Sequence, residues 1–346
     1  MKKDKYIVFN KNVMEGLTEL QDNSVQTCVT SPPYYNLRDY GVDGQIGLEK
    51  TPEEYINNLV KVFRHVRRVL KDDGTLWVVI GDSYNGSGKA NGDKGINKAL
   101  NDTNNASHLT SPTKVASLKD RDLIGIPWML AFALRSDGWY LRQDIIWSKP
   151  NPMPESVKSR CTKSHEYVFL LSKSPKYYFD YEALEEVATG YDDRKDIVMK
   201  GSKKYEENIM PFNQLQSLAK GGRIRWKFKN LDLLYRRNNS IHPSRIFEEK
   251  KVYPVRRKRS VWSIPTQPFK GRHFAVFPEK LAEYCILAGS KEGDAVLDVF
   301  SGAATTGKVA MQYNRIYRGY EINADYIKIG NERIEKQLHT KQLSLW

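Results

Sequence analysis

Two short runs carry residues whose types and spacing suit chemistry. The first, Thr30-Ser31-Pro32-Pro33-Tyr34, ends a stretch from Val25 that reads as a buried strand. Two consecutive prolines lack N–H groups and have a fixed φ, so their carbonyls are held in set directions. A hydroxyl, two rigid carbonyls and an aromatic ring suit a flat heterocycle bearing an exocyclic amine. Its N–H groups would donate to the Ser31 hydroxyl and the Pro32 carbonyl while the ring stacks on Tyr34. Taken alone, the same run also reads as a strand ending in a Pro-rich turn.

The second run spans 294–307, DAVLDVFSGAATTG. It reads as a strand turning through Phe300-Ser301-Gly302 into a helix, which leaves backbone N–H groups free for a carboxylate or phosphate. About twenty residues on, Tyr317-Arg318-Gly319-Tyr320-Glu321 ends the next strand in an acid, the pattern that binds ribose hydroxyls in dinucleotide folds. Turn and acid together point to a nucleoside cofactor, whereas a lone Gly-rich turn is ordinary packing.

Both runs need strands that end at one edge of a sheet, and the chain alternates accordingly. Strands are expected at 6–9, 25–30, 76–80, 142–147, 167–171, 295–297 and 316–320. Between them, helices are expected near 13–20, from Thr51-Pro52-Glu53-Glu54 onward, at about 122–135, and at 278–288, 306–313 and 324–338. Tyr55, Leu59, Val62, Val66 and Leu70 form the apolar stripe of the second helix. This βαβ rhythm implies a mostly parallel sheet with helices on both faces. Two stretches interrupt it: a Gly-, Asn- and Ser-rich segment over 81–118, expected to be a mobile loop, and an aperiodic segment from about 191 to 260 in which aromatics sit among basic residues.

Composition narrows the partners. The 346 residues carry 55 Lys and Arg against 41 Asp and Glu, a formal net charge of +14. The segment 194–273 alone holds 21 basic and 6 acidic residues, so the remainder of the chain is near neutral. Charge concentrated in this way points to a polyanion such as nucleic acid. Cys28, Cys161 and Cys285 form no C-x-x-C pair, so neither a zinc site nor a disulfide framework is expected. No stretch approaches 18 apolar residues, and Met1-Lys2-Lys3-Asp4-Lys5 lacks the apolar core of a signal peptide, so a cytosolic protein without a membrane span is expected.

With these residues in place, the chain resembles the DNA amino-methyltransferases, which use S-adenosylmethionine to methylate an exocyclic base nitrogen. The resemblance extends from Thr30-Ser31-Pro32-Pro33-Tyr34 to Gly81-Asp82-Ser83-Tyr84, to the run from Trp147 to Pro154, to Lys163-Ser164-His165-Glu166-Tyr167 and to the run from His273 to Pro278. The catalytic motif comes first, a basic segment lies between, and the cofactor motifs come last, which is the order of the permuted β group. The resemblance implies a Rossmann-like α/β methyltransferase with a mixed, mostly parallel sheet. Residues 1–190 and 261–346 would form its two halves, and 191–260 a target-recognition insertion.

The resemblance also implies roles. Ser31, Pro32, Pro33 and Tyr34 would hold the flipped-out base, with the Trp147–Pro154 segment as part of the surrounding wall. Phe277, Asp298, Phe300, Gly302, Thr305, Thr306 and Glu321 would hold S-adenosylmethionine, and no metal is expected. Arg223, Arg225, Lys227, Arg256, Arg257, Lys258 and Arg259 would contact double-stranded DNA. A homodimer and a restriction endonuclease acting on the same site are the further partners the resemblance allows, in a bacterial, archaeal or phage setting. Serine at position 31 is associated with cytosine N4, and adenine N6 is the alternative, because a hydroxyl accepts from either amine. None of the three cysteines follows a proline, which excludes carbon-5 cytosine chemistry. Departures stand at Lys11-Asn12, Val299 and Ala303-Ala304, where the family carries Gly-Asp, Pro and Ser-Gly. They leave a second alternative, a DNA-binding relative with a weakened cofactor pocket.

Overall fold

The computed structural model describes residues 5–86, 114–187, 255–267 and 276–343. The chain divides into two compact units, one of residues 1–180 with 260–346 and the other Tyr181–Arg259.

The larger unit is built on an eight-stranded sheet. Its strands are β1 (Tyr6–Asn10), β2 (Val25–Thr30), β3 (Leu70–Ile80), β4 (Tyr140–Ser148), β5 (His165–Ser172), β8 (Val261–Ser263), β9 (Ala295–Asp298) and β10 (Ile316–Glu321). They lie in the order β1-β10-β9-β2-β3-β5-β4-β8. Only β5 runs against its neighbours, pairing antiparallel with β3 and β4. The helices are α1 (Val13–Thr18), α2 (Pro52–Val69), α3 (Ile126–Ser136), α4 (Glu279–Gly289), α5 (Thr305–Gln312) and α6 (Ala324–Leu343). Strand order reverses between β9 and β2. From there the sheet grows through β10 and β1 on one side and β3 on the other, so the two C-terminal ends open a crevice where ligands of such sheets bind.

The apolar pattern explains why α2 forms and where it packs. The Thr51 hydroxyl accepts from the Glu54 N–H at 3.2 Å, Pro52 starts the first turn, and Glu53 and Glu54 complement its N-terminal dipole. Tyr55, Leu59, Val62, Phe63 and Val66 are fully buried. Leu76–Ile80 of β3 is buried on both faces, as a central strand requires.

Helix α3 begins at Ile126, four residues later than its periodicity suggests. Leu123 is committed to a bridge with Tyr84, and the Asp82 carboxylate accepts from the N–H groups of Gly125 and Ile126 at 3.0 and 3.1 Å. A cap supplied from some forty residues upstream sets the start, which local pattern does not reveal. Of the expected mobile loop, 87–113 lies outside the described residues, whereas its two ends are fastened. Buried Asn85 donates to the carbonyls of Val115, Leu118 and Lys119 and accepts from the Val115 N–H.

The smaller unit starts at Tyr181 rather than 191. Strand β6 (Glu186–Val187) pairs antiparallel with β7 (Val255–Arg256), which ties its beginning to its end.

Candidate active site

The end of β2 turns into the Ser31–Tyr34 run, and the end of β9 turns through Phe300-Ser301-Gly302 into α5. The two meet although they lie some 270 residues apart in sequence, because β2 and β9 are neighbours. The Thr30 hydroxyl donates to the Asp298 carboxylate at 2.7 Å, and the Phe300 N–H donates to the same oxygen at 3.1 Å. Beyond them opens a cleft of about 560 Å³. Ser31, Pro32, Pro33, Tyr34, Phe277, Phe300, Gly302, Thr305 and Glu321 all line it.

Asp298 and Thr306, expected to touch the cofactor, are not on that wall. Asp298 is buried beneath the turn, and the Thr306 hydroxyl donates to the Val29 carbonyl at 3.2 Å. Both side chains are consumed in holding the two strand ends together. Burial pushes the Asp298 carboxyl up to about 6, against the opposing bonds from Thr30, Thr306 and the Phe300 N–H.

The base-side wall contains a chain of polar contacts. The Tyr34 hydroxyl donates to Glu166, and Glu166 also takes the Lys149 ammonium, whose Nζ stands 4.6 Å from the centre of the Trp147 ring. Burial, then the Glu166 charge, pushes the Tyr34 phenol well above the ordinary tyrosine range, so it stays a donor. Gly81 packs flat against this array: a Cβ there would stand 2.8 Å from Tyr34 Cε2 and 3.3 Å from Glu166 Cδ. Beneath it, the Tyr55 hydroxyl donates to the Pro33 carbonyl at 2.7 Å.

On the other side, Glu321 ends β10 with its carboxylate in the cleft. Its two oxygens accept from the N–H groups of Gly302 and Asn323 at 2.7 and 2.8 Å. Gly302 reaches that position with φ +50, where a side chain is disfavoured. Burial raises the Glu321 carboxyl above its usual range, and those backbone bonds oppose the shift. Ala304 adopts φ +53 with an ordinary Cβ, a strain of about 1 kcal/mol at the start of α5. Arg333 of α6 clasps that turn through the Ala303 carbonyl at 2.5 Å and the Thr305 hydroxyl at 3.1 Å. Asn12 also lines the cleft, and its carboxamide caps α1 by accepting from the Met14 N–H at 2.9 Å.

Glu166 and Tyr55 were given no role of their own, and Lys149 only a place in the Trp147–Pro154 segment expected to wall the base. Glu166 stood only within the Lys163–Tyr167 run that carries the resemblance, and Tyr55 only in an apolar stripe. In the smaller unit, Arg256 and Lys258 both pair with Glu186, at 2.9 and 3.1 Å, while Arg257 lies 4.8 Å over the Tyr181 ring. Arg257 and Arg259 are exposed. Arg223, Arg225 and Lys227 lie outside the described residues, as does His273. Among the described residues no cluster of His, Cys, Asp and Glu suits a metal ion, and no helix is long and apolar enough to cross a membrane.

The profile of a family described as DNA methylase (N6_N4_Mtase) matches residues 25–332. Over 329 residues the chain is 41% identical to Type II methyltransferase M.Cfr9I of Citrobacter freundii, covering 95% of this chain and 87% of that protein. Over 327 residues it is 42% identical to Type II methyltransferase M.SmaI of Serratia marcescens, covering 94% and 88%. Among solved structures, PvuII DNA methyltransferase (cytosine-N4-specific) aligns with a TM-score of 0.57 at 17% identity, over 96% of this chain and 90% of that one. The modification methylase TTHA0409 of Thermus thermophilus, complexed with S-adenosyl-L-methionine, aligns with a TM-score of 0.54 at 20% identity, over 96% and 94%. At such identities the likeness is one of fold.

Proposed function

The chain belongs to the DNA methylase family of S-adenosylmethionine-dependent DNA methyltransferases, and on that premise we propose that it methylates the exocyclic N4 of a cytosine swung out of duplex DNA. The observation that carries this reading is the opening of the Ser31–Tyr34 run and the Phe300–Glu321 pocket into one cleft.

The cleft's own chemistry fits the cofactor. Each Glu321 oxygen takes one backbone N–H and retains a lone pair for a ribose hydroxyl, and Phe300 and Phe277 offer apolar surface beside it. These residues, with Gly302 and Thr305, would hold S-adenosylmethionine, which when bound supplies an electrophilic methyl group for direct transfer.

The chain's part is positioning and local electrostatics. An aromatic amine is a poor nucleophile because its lone pair is delocalised into the ring. The Ser31 hydroxyl and the Pro32 carbonyl accept its two N–H groups, which favours a pyramidal nitrogen with its lone pair directed out of the ring plane. Tyr34 backs the base, and the bond to Glu166 fixes the tilt of its ring. Extrusion of the base costs a few kcal/mol, offset by stacking and by these edge hydrogen bonds.

Serine at position 31 favours cytosine N4, with adenine N6 as the alternative amine. The relatives' description as Type II methyltransferases supports a partner endonuclease that cuts the same sequence, in a cytoplasmic restriction–modification setting. A homodimer on DNA is the remaining expectation. The test is incorporation of labelled methyl groups from S-adenosylmethionine into mixed-sequence duplex DNA. Wild-type protein should label the DNA and Tyr34→Ala should lose most of that label. Absence of labelling despite tight DNA binding would overturn the reading in favour of a non-catalytic DNA-binding protein.

A further inference from the structure

Met153 stands at the mouth of the cleft, and its place there is unusual. It is 85% exposed, the highest value of any exposed large hydrophobic side chain among the described residues, yet it belongs to the lining of the same cavity as Ser31 and Tyr34. A side chain of this size left in water forgoes a burial free energy that folding usually collects.

Its backbone, by contrast, is held firmly. Met153 sits between Pro152 and Pro154, with Pro150 just before, so the strap has few conformations to lose. The Asn151 carboxamide is paired both ways with Thr266, donating to its carbonyl at 3.2 Å and accepting from its N–H at 2.9 Å. Upstream, the Lys149 N–H donates to the Ser164 carbonyl at 2.7 Å, and the Ile264 N–H donates to the Ser148 carbonyl at 3.0 Å. A stiff mount thus carries one long, unbranched apolar side chain beside the pocket for the base.

We propose that Met153 is the wedge that enters the duplex where the target base has left. This rests on the base-extrusion reading above. Removing a base from the stack opens an apolar slot about 3.4 Å thick, the rise of one nucleotide. Proteins that unstack DNA fill such slots with Phe, Leu, Ile, Met or Pro. A thioether chain is thin and adapts to whichever bases flank the slot, so it holds the gap open without reading sequence. Its rigid strap means that little ordering is required on insertion.

Leu37 is the competing rim residue, lining the cleft at 42% exposure. It stands three residues after Tyr34, and its N–H donates to the Tyr34 carbonyl at 3.3 Å, so it is part of that turn's own packing.

The test compares methyl transfer on two oligonucleotide duplexes that contain the methylated site, once mapped. One is fully paired, and in the other the target base faces a mismatched partner and leaves the stack more easily. Met153→Ala should lower kcat/KM on the paired duplex roughly 10- to 100-fold, and on the mismatched duplex by no more than about 3-fold. Met153→Leu should restore most of the loss. Equal loss on both duplexes, no loss on either, or the same pattern in Leu37→Ala with Met153→Ala unaffected would overturn the proposal. Wild-type protein that labels no site in mixed-sequence duplex DNA, so that none can be mapped, refutes the enzymatic reading itself. Wild-type protein that methylates the paired duplex but gains no affinity from the mismatch refutes extrusion, and the wedge with it.

Discussion

The contact between Tyr34 and Glu166 gives a prediction whose size follows from the structure. Glu166→Gln keeps the shape of the side chain and removes its charge, leaving Lys149 without its carboxylate. The two side chains are only 19% and 15% exposed. Breaking a fully buried ion pair costs about 3–5 kcal/mol. The residual exposure and the Trp147 face lower this to about 2–3 kcal/mol. Tyr34→Phe keeps the ring and removes a hydrogen bond to a charged acceptor, about 1.5–3 kcal/mol. If that bond fixes the ring against which the base stacks, each single change should slow single-turnover methyl transfer roughly 10- to 150-fold. The double variant should lose less than the product of the two single losses, because both changes weaken the same bond, with a coupling of about 1–2 kcal/mol. The loss in Tyr34→Phe should also be constant between neutral and mildly alkaline pH, since the phenol remains protonated there. Losses that multiply in the double variant, or a Tyr34→Phe protein as fast as wild type, would refute the positioning role.

Three further outcomes are expected. Asp298 has its folded-state carboxyl raised to about 6, so the stability it contributes is complete below the unfolded value of about 3.9 and is lost as pH rises through 6. Over that span wild-type protein should lose about 3 kcal/mol that Asp298→Asn does not, and urea unfolding between pH 4 and 7 would detect parallel slopes if this is wrong. Replacing Arg257 and Arg259 with Ala should reduce the slope of log K against log[salt] for DNA binding by about 2, whereas an unchanged slope would exclude them from phosphate contact. Asn85→Ala removes four hydrogen bonds that fasten 114–119, so limited proteolysis should cut there faster than in wild-type protein.

Much of the fold was legible because it rests on local pattern. The stripe of α2 and the buried run of β3 report their own burial. The Ser31–Tyr34 run and Glu321, which line the cleft, were legible because each stands at the end of an expected strand. Relations that depend on which strands become neighbours were hidden. Antiparallel β4 and β5 bring Trp147 opposite Glu166, and this puts Lys149 within reach of the Tyr34 partner. Asp298 and Thr306 have the right chemistry for a ligand, but the β2–β9 contact turns them inward to Thr30 and Val29. The basic cluster at 256–259 looked uniform, yet Glu186, some seventy residues earlier, claims two of its four cations. Ala304 was legible as a departure from the family's glycine, but its left-handed backbone was not.

The most direct test of the central claim is the identity of the methylated nucleoside. Mixed-sequence duplex DNA treated with the protein and S-adenosylmethionine carrying an isotopically labelled methyl group would be digested to nucleosides and resolved by mass spectrometry. Labelled N4-methyldeoxycytidine is the predicted product. Label in N6-methyldeoxyadenosine would keep the cleft and its amine chemistry but contradict the choice of base drawn from Ser31. Label in 5-methyldeoxycytidine, or in no nucleoside at all, would contradict the mechanism built on Ser31, Pro32 and Tyr34.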